Sequence, residues 1–314
     1  MGRFCVIGCT GLFGLEMCRA VLAAGHTLVA VSRGRASHNT AAYEALEALG
    51  VTVHTADYGD VDRMAGLLAG CDVALPLFTG VAKTIVQLEG RVLEACQRAG
   101  VGRFIPDEFG VHTQSMDFGE GVLFDIKKQF MRDVVVPSGV PYTVIYPGGI
   151  FDYFIPNLTY YRQLTTFGDV DLKFPSHSLR DICEVTVRAA MDPQCVNKCV
   201  QIDVVMVTQR ALMATITSKY PQLSEHKVKH VSTDEIERVS NAGDPDLLPS
   251  DSVHGLQPEL ERAQINRACY VRGRLLGRAD HPSTLWVSKL YPDHKFQSAE
   301  EKISERAFIL GEKA

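Results

Sequence analysis

Two adjacent lysines lie in a stretch whose apolar residues recur with the spacing of a helix. At about 100° per residue, residues 123–135 have one apolar arc, formed by Leu123, Ile126, Phe130, Met131 and Val134 and widened by Phe124 and Val135. Lys127 falls near the middle of this arc and Lys128 at its edge. An inward-facing lysine either brings its amine to a cleft or packs its stem on apolar surface with the amine in water. The helical wheel leaves both alternatives open, but it makes Lys127 rather than Lys128 the candidate acid/base residue.

A glycine-rich turn follows the first apolar run. The sequence "VIGCTGLFG" has the spacing GxxGxxG and stands where a first strand passes into a first helix. Glycines there let a dinucleotide pyrophosphate approach the backbone and let the helix pack closely on the sheet. Alone the pattern is weak, but its position in a strand–helix unit strengthens it. The predicted cofactor-binding residues of this turn are Gly8, Thr10, Gly11, Leu12, Phe13 and Gly14.

The end of the second apolar run favours one nucleotide over the other. An NAD site typically has an acid there for the ribose 2′-hydroxyl, whereas this chain has Ser32, Arg33 and Arg35 and no acid. A guanidinium can pair with a 2′-phosphate through two hydrogen bonds. The alternative is that Arg33 is simply a solvated loop residue. We expect NADP(H), with Phe78 and Thr79 after the fourth apolar run completing the cofactor site.

The sequence "RFIPDEFG", residues 103–110, ends another apolar run. Pro106 stops strand pairing and Gly110 permits close approach of the backbone. In a parallel α/β sheet, residues at the carboxyl ends of the strands face the ligand crevice. We therefore expect Phe109 to line a substrate pocket.

These residues need a scaffold that brings strand ends together, and the sequence supplies a regular alternation of strand-like and helix-like segments. Apolar runs suited to buried strands lie at 4–7, 27–31, 51–54, 72–75, 102–105 and 141–145. Helix-length segments lie between them at 12–24, 40–49, 60–69, 83–99 and 120–136. This alternation predicts an α/β fold with a Rossmann-type, doubly wound parallel sheet.

The second half of the chain alternates less regularly. We predict an NADP-binding Rossmann domain over 1–154 and a smaller substrate-binding region over 155–314. Within that region, helices are expected at 179–191, 209–219 and around 256–277. A strand at 199–205 is a candidate to return to the main sheet.

Composition excludes several classes of protein. The 314 residues are 46% hydrophobic and 22% charged with a net charge of −5, so nucleic acid is not an expected partner. No apolar run approaches the roughly 18 residues of a membrane span. The nine cysteines form no CxxC pair, and the N-terminus enters a strand at once, which leaves no room for a secretory leader. We expect a cytoplasmic protein without disulfides.

No metal is expected. His226 and His230 in "HKVKH" are four residues apart but have no recognisable third ligand, and Cys195 and Cys199 are explained equally well by a turn into a strand. Asp181 is expected to cap or flank a helix.

Taken together, the motifs resemble the isoflavone reductase-like, or phenylcoumaran benzylic ether reductase-like, branch of the NmrA-like atypical short-chain reductases. The glycine turn, "RFIPDEFG", "FDIKKQFMR", "PYTVIYPGGIFDYF" and "SKLYPDHKFQSAEE" each resemble a family segment, and the similarity runs from about residue 3 to 310. Two departures concern the substrate. Asp107 replaces the serine of the family's Pro-Ser-Glu-Phe-Gly, and "YPGGI" at 146–150 replaces a more polar stretch.

The resemblance implies that Lys127 is the catalytic lysine and that Arg33 reads the 2′-phosphate. It also implies NADPH as cofactor, a monomer or homodimer, and an aromatic small-molecule substrate. With Phe109, the pocket wall is expected to include Ile150, Tyr153 and Phe154.

The sequence-based prediction is therefore an NADPH-dependent reductase of a bulky aromatic or polycyclic secondary metabolite. Two alternatives stay open: an NmrA-like redox-sensing binding protein, and a non-redox isomerase or cyclase that retains NADP. A sensor needs no acid/base group, so an inward-facing Lys127 favours catalysis.

Overall fold

The fold was analysed in a computed structural model, in which the structure describes residues 1–78, 82–159, 163–225, 228–241 and 259–312. The strands are β1 (Arg3–Ile7), β2 (Thr27–Ser32), β3 (Val53–Thr55), β4 (Val73–Pro76), β5 (Arg103–Phe104), β6 (Thr143–Tyr146), β7 (Gly149–Ile150), β8 (Thr165–Phe167), β9 (Phe174–His177), β10 (Lys198–Gln201), β11 (Met206–Val207), β12 (Lys229–Val231) and β13 (Thr284–Trp286). The helices are α1 (Leu12–Ala23), α2 (Thr40–Ala48), α3 (Val61–Leu68), α4 (Ala82–Ala99), α5 (Val122–Phe130), α6 (Phe151–Phe154), α7 (Leu179–Met191), α8 (Gln209–Lys219), α9 (Thr233–Asn241), α10 (Glu259–Tyr270), α11 (Val287–Leu290), α12 (Ala299–Ile303) and α13 (Arg306–Leu310).

A parallel sheet organises the molecule. Its first five strands have the order β3-β2-β1-β4-β5, and every neighbouring pair is parallel. A bridge between Phe104 and Tyr142 carries the sheet on towards β6, which pairs in parallel with β10, as β10 does with β13. The strand reversal beside β1 is the arrangement of doubly wound nucleotide-binding folds. The predicted fold class is confirmed.

The sheet is buried on both faces because its strands are nearly continuous apolar runs. Helices α1 and α7 pack together on one face, over a core that includes Val6, Met17 and Ile182. Helices α3, α4 and α5 cover the other face, over a core that includes Met64 and Phe104. This layering brings the carboxyl ends of β1, β2, β4 and β5 to one edge, where the loops meet.

The remaining elements form a smaller region around a third core. It contains the mixed sheet β11-β9-β7 and the parallel pair β12-β8. Its core includes Phe151, Phe174 and Tyr270 and extends to Phe124 of α5. Helix α10 also packs against α5. The smaller region and the main sheet therefore meet at α5. Among the described helices, none is long and apolar enough to cross a membrane.

Several predicted elements are shorter in the structure, and the helix expected around 256–277, for example, ends at Tyr270. The helix predicted over 120–136 begins at Val122 and changes at Met131 to a π-helical turn that ends at Val135. A π turn adds a residue to the repeat, which places Val135 in the core and leaves Val134 40% exposed, although Val134 was assigned to the apolar arc. The strand expected at 199–205 is the shorter β10. The boundary between residues 154 and 155 stays a prediction.

Candidate functional site

The glycine turn after β1 has two tightly packed positions and one open position. Gly8 has φ +90°, and a Cβ there would lie 2.2 Å from the carbonyl oxygen of Leu77. A Cβ at Gly14 would lie 2.2 Å from the carbonyl oxygen of Gly8. At Gly11, by contrast, the nearest atom would be at an ordinary contact distance of 3.5 Å. Gly8 and Gly14 therefore shape the turn, whereas exposed Gly11 leaves open space at the start of α1.

This open end of α1 fits the pyrophosphate of a dinucleotide. Gly11 is the N-cap residue, no side chain caps the helix, and the first turn contains no acid. The free N–H groups and the positive end of the helix dipole are suited to an anion. Thr10 lies beside the end of β2, with its hydroxyl 3.4 Å from that of Ser32.

The two arginines after β2 have different surroundings. Arg35 forms a 2.9 Å ion pair with Glu47, and its guanidinium lies 5.2 Å from the ring centroid of Tyr43. Arg33 is exposed and forms no ion pair within the described part of the chain. Its guanidinium is therefore not held in the way that of Arg35 is.

Sequence reasoning missed Tyr58, which lies near the same loop and pairs with the predicted cofactor residue Phe78. Tyr58, three residues after β3, stacks on Phe78 after β4, with ring centroids 5.0 Å apart and planes at 21°. Its position after a strand end was the signal that could have identified it. The predicted cofactor residue Thr79 lies outside the described residues.

The two lysines of α5 donate to different carbonyl groups. Lys127 Nζ donates a hydrogen bond to the backbone oxygen of Asp107, in the segment that follows β5. Lys128 Nζ donates to the backbone oxygen of Met116 and lies 4.8 Å from the ring centroid of Phe118. Only Lys127 lines the cavity between α5, the β5 segment and α10.

This cavity has a volume of about 170 Å³ and mostly apolar walls. Its lining residues are Glu108, Phe109, Gly110, Val111, Thr113, Leu123, Phe124, Lys127, Phe154, Ile265, Cys269 and Leu275. The ring of Phe109 also lies 4.6 Å from that of Phe13 in the glycine turn. The expected substrate wall and the expected cofactor loop are therefore in contact.

The four predicted substrate-binding residues separate into two pairs. Phe109 and Phe154 line the cavity, but Ile150 and Tyr153 are not among its lining residues. Ile150 is 7% exposed and belongs to the core beside α7. On the single turn of α6, Phe151 and Phe154 share the inward face because they are three residues apart, while Tyr153 is 43% exposed.

Three acids surround the inner end of the Lys127 side chain. The Asp107 carboxylate accepts a 2.9 Å hydrogen bond from the backbone N–H of Phe78, and Glu89 accepts one of 2.7 Å from the N–H of Asp107. Burial raises the pKa of Glu89 well above its ordinary value, and Asp107 raises it further. Burial also raises the pKa values of Asp107 and Glu108, partly offset by the positive charge of Lys127. Sequence reasoning noted Asp107 as a substitution but missed Glu89 and Glu108 as members of the site.

A second polar cluster lies away from the cavity at the start of α7. Asp181 Oδ1 is 3.4 Å from His294 Nε2, which in turn is 3.8 Å from Glu184 Oε2. Arg180 also lies within 3.9 Å of both carboxylates, so the cluster contains its own positive charge. As predicted, Asp181 stands in the first turn of a helix, where its N–H donates to the N-cap Ser178.

Of the two histidines of "HKVKH", only His230 lies within the described residues. His230 Nδ1 lies 3.1 Å from the hydroxyl of Thr166, and His226 lies outside the described residues.

Comparison with known proteins places these features in a family. The chain is 25% identical over 325 residues to isoeugenol synthase 1 of Petunia hybrida, covering 96% of this chain and 92% of that protein. It is also 25% identical over 337 residues to an isoflavone reductase of Cicer arietinum, covering 96% and 98%. The solved NADPH complex of leucoanthocyanidin reductase from Vitis vinifera has the same fold, with a TM-score of 0.78 at 20% identity, covering 98% of this chain and 99% of that one.

The comparisons agree with the predicted isoflavone reductase-like resemblance and with the prediction of an NADP(H)-dependent oxidoreductase. The sequence model of the NmrA-like family matches residues 2–236. The chain thus belongs to the NmrA-like family.

Proposed function

We propose that this protein is an NADPH-dependent reductase of a bulky aromatic or polycyclic small molecule, with Lys127 as its acid/base group. The observation that carries the proposal is that Lys127 lines an apolar cavity whose wall, through Phe109, contacts the glycine turn. The names of the relatives, which refer to isoflavones and isoeugenol, support an aromatic substrate.

The residues that would hold the cofactor lie along one edge of the sheet. The N–H groups at the start of α1 would bind the pyrophosphate, and Arg33 would pair with the 2′-phosphate. Tyr58 and Phe78 offer an aromatic surface beside Arg33. NADPH, when bound, supplies a hydride for the substrate.

Lys127 would stabilise the negative charge that develops on the substrate. Lys127 lines the cavity, and its ammonium donates a hydrogen bond to the Asp107 carbonyl. From there it can donate a hydrogen bond or a proton to an oxygen that becomes anionic. The apolar walls exclude water and favour a flat, hydrophobic ligand.

The two adjacent lysines provide the experiment. NADPH consumption should be followed with a panel of unsaturated aromatic compounds for wild type, Lys127→Ala and Lys128→Ala. We expect Lys127→Ala to lower kcat by about 10²–10⁴-fold, the usual effect of losing a general acid or base, with NADPH binding nearly unchanged. Lys128→Ala is the matched control and should retain turnover, because its amine contacts Met116 and Phe118 instead of the cavity.

Two outcomes would contradict this assignment. Full turnover in Lys127→Ala would remove the acid/base role. Loss of NADPH binding in the same variant would make Lys127 a cofactor ligand.

The reductase function is tested separately by wild type. NADPH binding without consumption of any compound in the panel would favour a sensor or a non-redox enzyme.

A further inference from the structure

Among the described residues that line the cavity, Glu108 is the one acid. The residue is 6% exposed, and its neighbours in the wall include Phe109, Leu123 and Phe154. A carboxyl group in such surroundings is costly unless its oxygens have hydrogen-bond partners. The partners of its two oxygens therefore indicate what the cavity is built to hold.

One oxygen of Glu108 is held by a directed chain of hydrogen bonds. The Thr113 hydroxyl donates to Oε2 at 2.9 Å, and the Tyr146 hydroxyl lies 2.8 Å from that of Thr113. The backbone N–H of Gln114 donates to the Tyr146 oxygen. Since the single Thr113 proton points to Glu108, Tyr146 must donate to Thr113. The chain therefore fixes the carboxyl group in place.

The other oxygen has no such partner. Within the described residues, Glu108 Oε1 accepts no hydrogen bond, and it is not among the buried unpaired atoms. It is thus an accessible acceptor on a side chain that lines the cavity. Among the described lining residues, Lys127 is the only other charged one, and its ammonium can only donate.

We propose that Glu108 anchors the substrate by accepting a hydrogen bond from a hydroxyl group of an otherwise apolar, flat ligand. The substrate class is therefore a phenol or alcohol carried on a hydrophobic ring system, with the hydroxyl at the Glu108 side of the cavity. The inference rests on the proposed function only in taking this cavity as the substrate site. Glu108 acts in this role as a specificity residue, whereas Lys127 acts on the reacting group.

The protonation of Glu108 depends on its burial and on the charges around it. Burial raises its pKa, while the Lys127 ammonium and the Thr113 hydrogen bond counteract the effect and Asp107 adds to it. The other titratable groups that face it are Glu89 from α4, Tyr146 from β6 and Cys199 from β10. Protonation of Glu108 would replace the accepting oxygen by a donor, so the preference for a hydroxyl ligand should decline towards acid pH.

Binding of two matched probes tests the proposal without turnover. The affinities of 2-naphthol and 2-methoxynaphthalene for the NADP⁺-loaded full-length protein should be measured by calorimetry between pH 5 and 8. We expect wild type to bind the naphthol more tightly by about 10-fold or more, as for loss of one hydrogen bond to a charged group. Glu108→Gln should reduce the preference to about 2-fold and remove its dependence on pH.

Glu261→Gln is the control, because Glu261 is a buried acid outside the Lys127 cluster that does not line the cavity. Its preference should match that of wild type. Equal affinities of wild type for the two probes, or binding of neither, would overturn the proposal even if the variants failed to fold. An unchanged preference in Glu108→Gln would overturn it as well. Absence of NADPH turnover with a retained naphthol preference would contradict the reductase function and leave the Glu108 anchor standing.

Discussion

The two arginines at the nucleotide end of the site differ in whether other groups of the protein already pair with them. Arg35 is held by Glu47 and the ring of Tyr43. The exposed guanidinium of Arg33 has no ion pair within the described residues. A charged group without a protein partner can pair with a ligand without first breaking an existing contact. The structure therefore ranks Arg33 above Arg35 as the reader of a 2′-phosphate.

Arg33→Ala should convert a preference for NADPH into near indifference between NADPH and NADH. Loss of a charge-assisted hydrogen bond costs about 1.5–3 kcal/mol, roughly 10- to 100-fold in Kd. Titration of both nucleotides against wild type, Arg33→Ala and Arg35→Ala measures the change. Arg35→Ala should have the smaller effect. Equal affinities of wild type for the two nucleotides would refute the role of Arg33.

At the scale of elements, the segment after β5 connects three parts of the site. It carries Glu108 and Phe109 on the cavity wall, and the carbonyl of Asp107 holds Lys127 of α5. The π turn at Met131–Val135 ends α5 and keeps Val135 in the core. Lys127 is thus placed by one turn of helix and one strand end, both packed on the main sheet.

Phe109→Ala tests whether this segment serves the ligand or the core. Phe109 is only partly buried and contacts Phe13 as well as the cavity. We expect a large loss of turnover with a modest loss of stability, about 1–2 kcal/mol for partial loss of an aromatic contact. Thermal unfolding and NADPH consumption should be measured on the same preparations.

Phe118→Ala is the matched control, since Phe118 is 48% exposed and does not line the cavity. A large drop in Tm for Phe109→Ala, with unchanged specific activity of the folded fraction, would identify the segment as a core element instead.

At the scale of the whole molecule, two buried histidines make stability depend on pH. Burial lowers the pKa of His112 to about 3 and that of His177 to about 4. His177 receives a 3.1 Å hydrogen bond from the N–H of Val205 at Nε2 and donates from Nδ1 to the Pro147 carbonyl at 2.9 Å. The neutral ring therefore joins three segments of the smaller region.

The sign of the pH effect follows from these values. Between about pH 6.5 and 4, the unfolded chain binds a proton at His177 and the folded chain does not, so stability falls as pH falls. The contribution of His177 is on the order of 3 kcal/mol over that window, at about 1.4 kcal/mol per pH unit.

Chemical unfolding of wild type and His177→Gln from pH 4 to 7 checks this prediction. Glutamine can keep both hydrogen bonds but does not titrate, so the slope of unfolding free energy against pH should become shallower. His38→Gln is the control, because His38 is exposed in the folded state. An unchanged slope in His177→Gln would show that other groups cause the acid sensitivity.

The sequence by itself determined the alternating strands and helices, the glycine turn and the inward-facing Lys127, because these depend on local spacing. Hydrophobic periodicity and turn chemistry are properties of residues close together in the sequence. They indicate which face of a helix or strand is buried, but not which element packs against that face. Only the tertiary structure decided that Val134 is exposed while Val135 stays in the core, that Phe154 rather than Tyr153 reaches the cavity, and that one oxygen of Glu108 accepts no hydrogen bond within the described residues. Each of these outcomes depends on contacts between residues far apart in the chain, such as Thr113 with Tyr146, which no local pattern encodes.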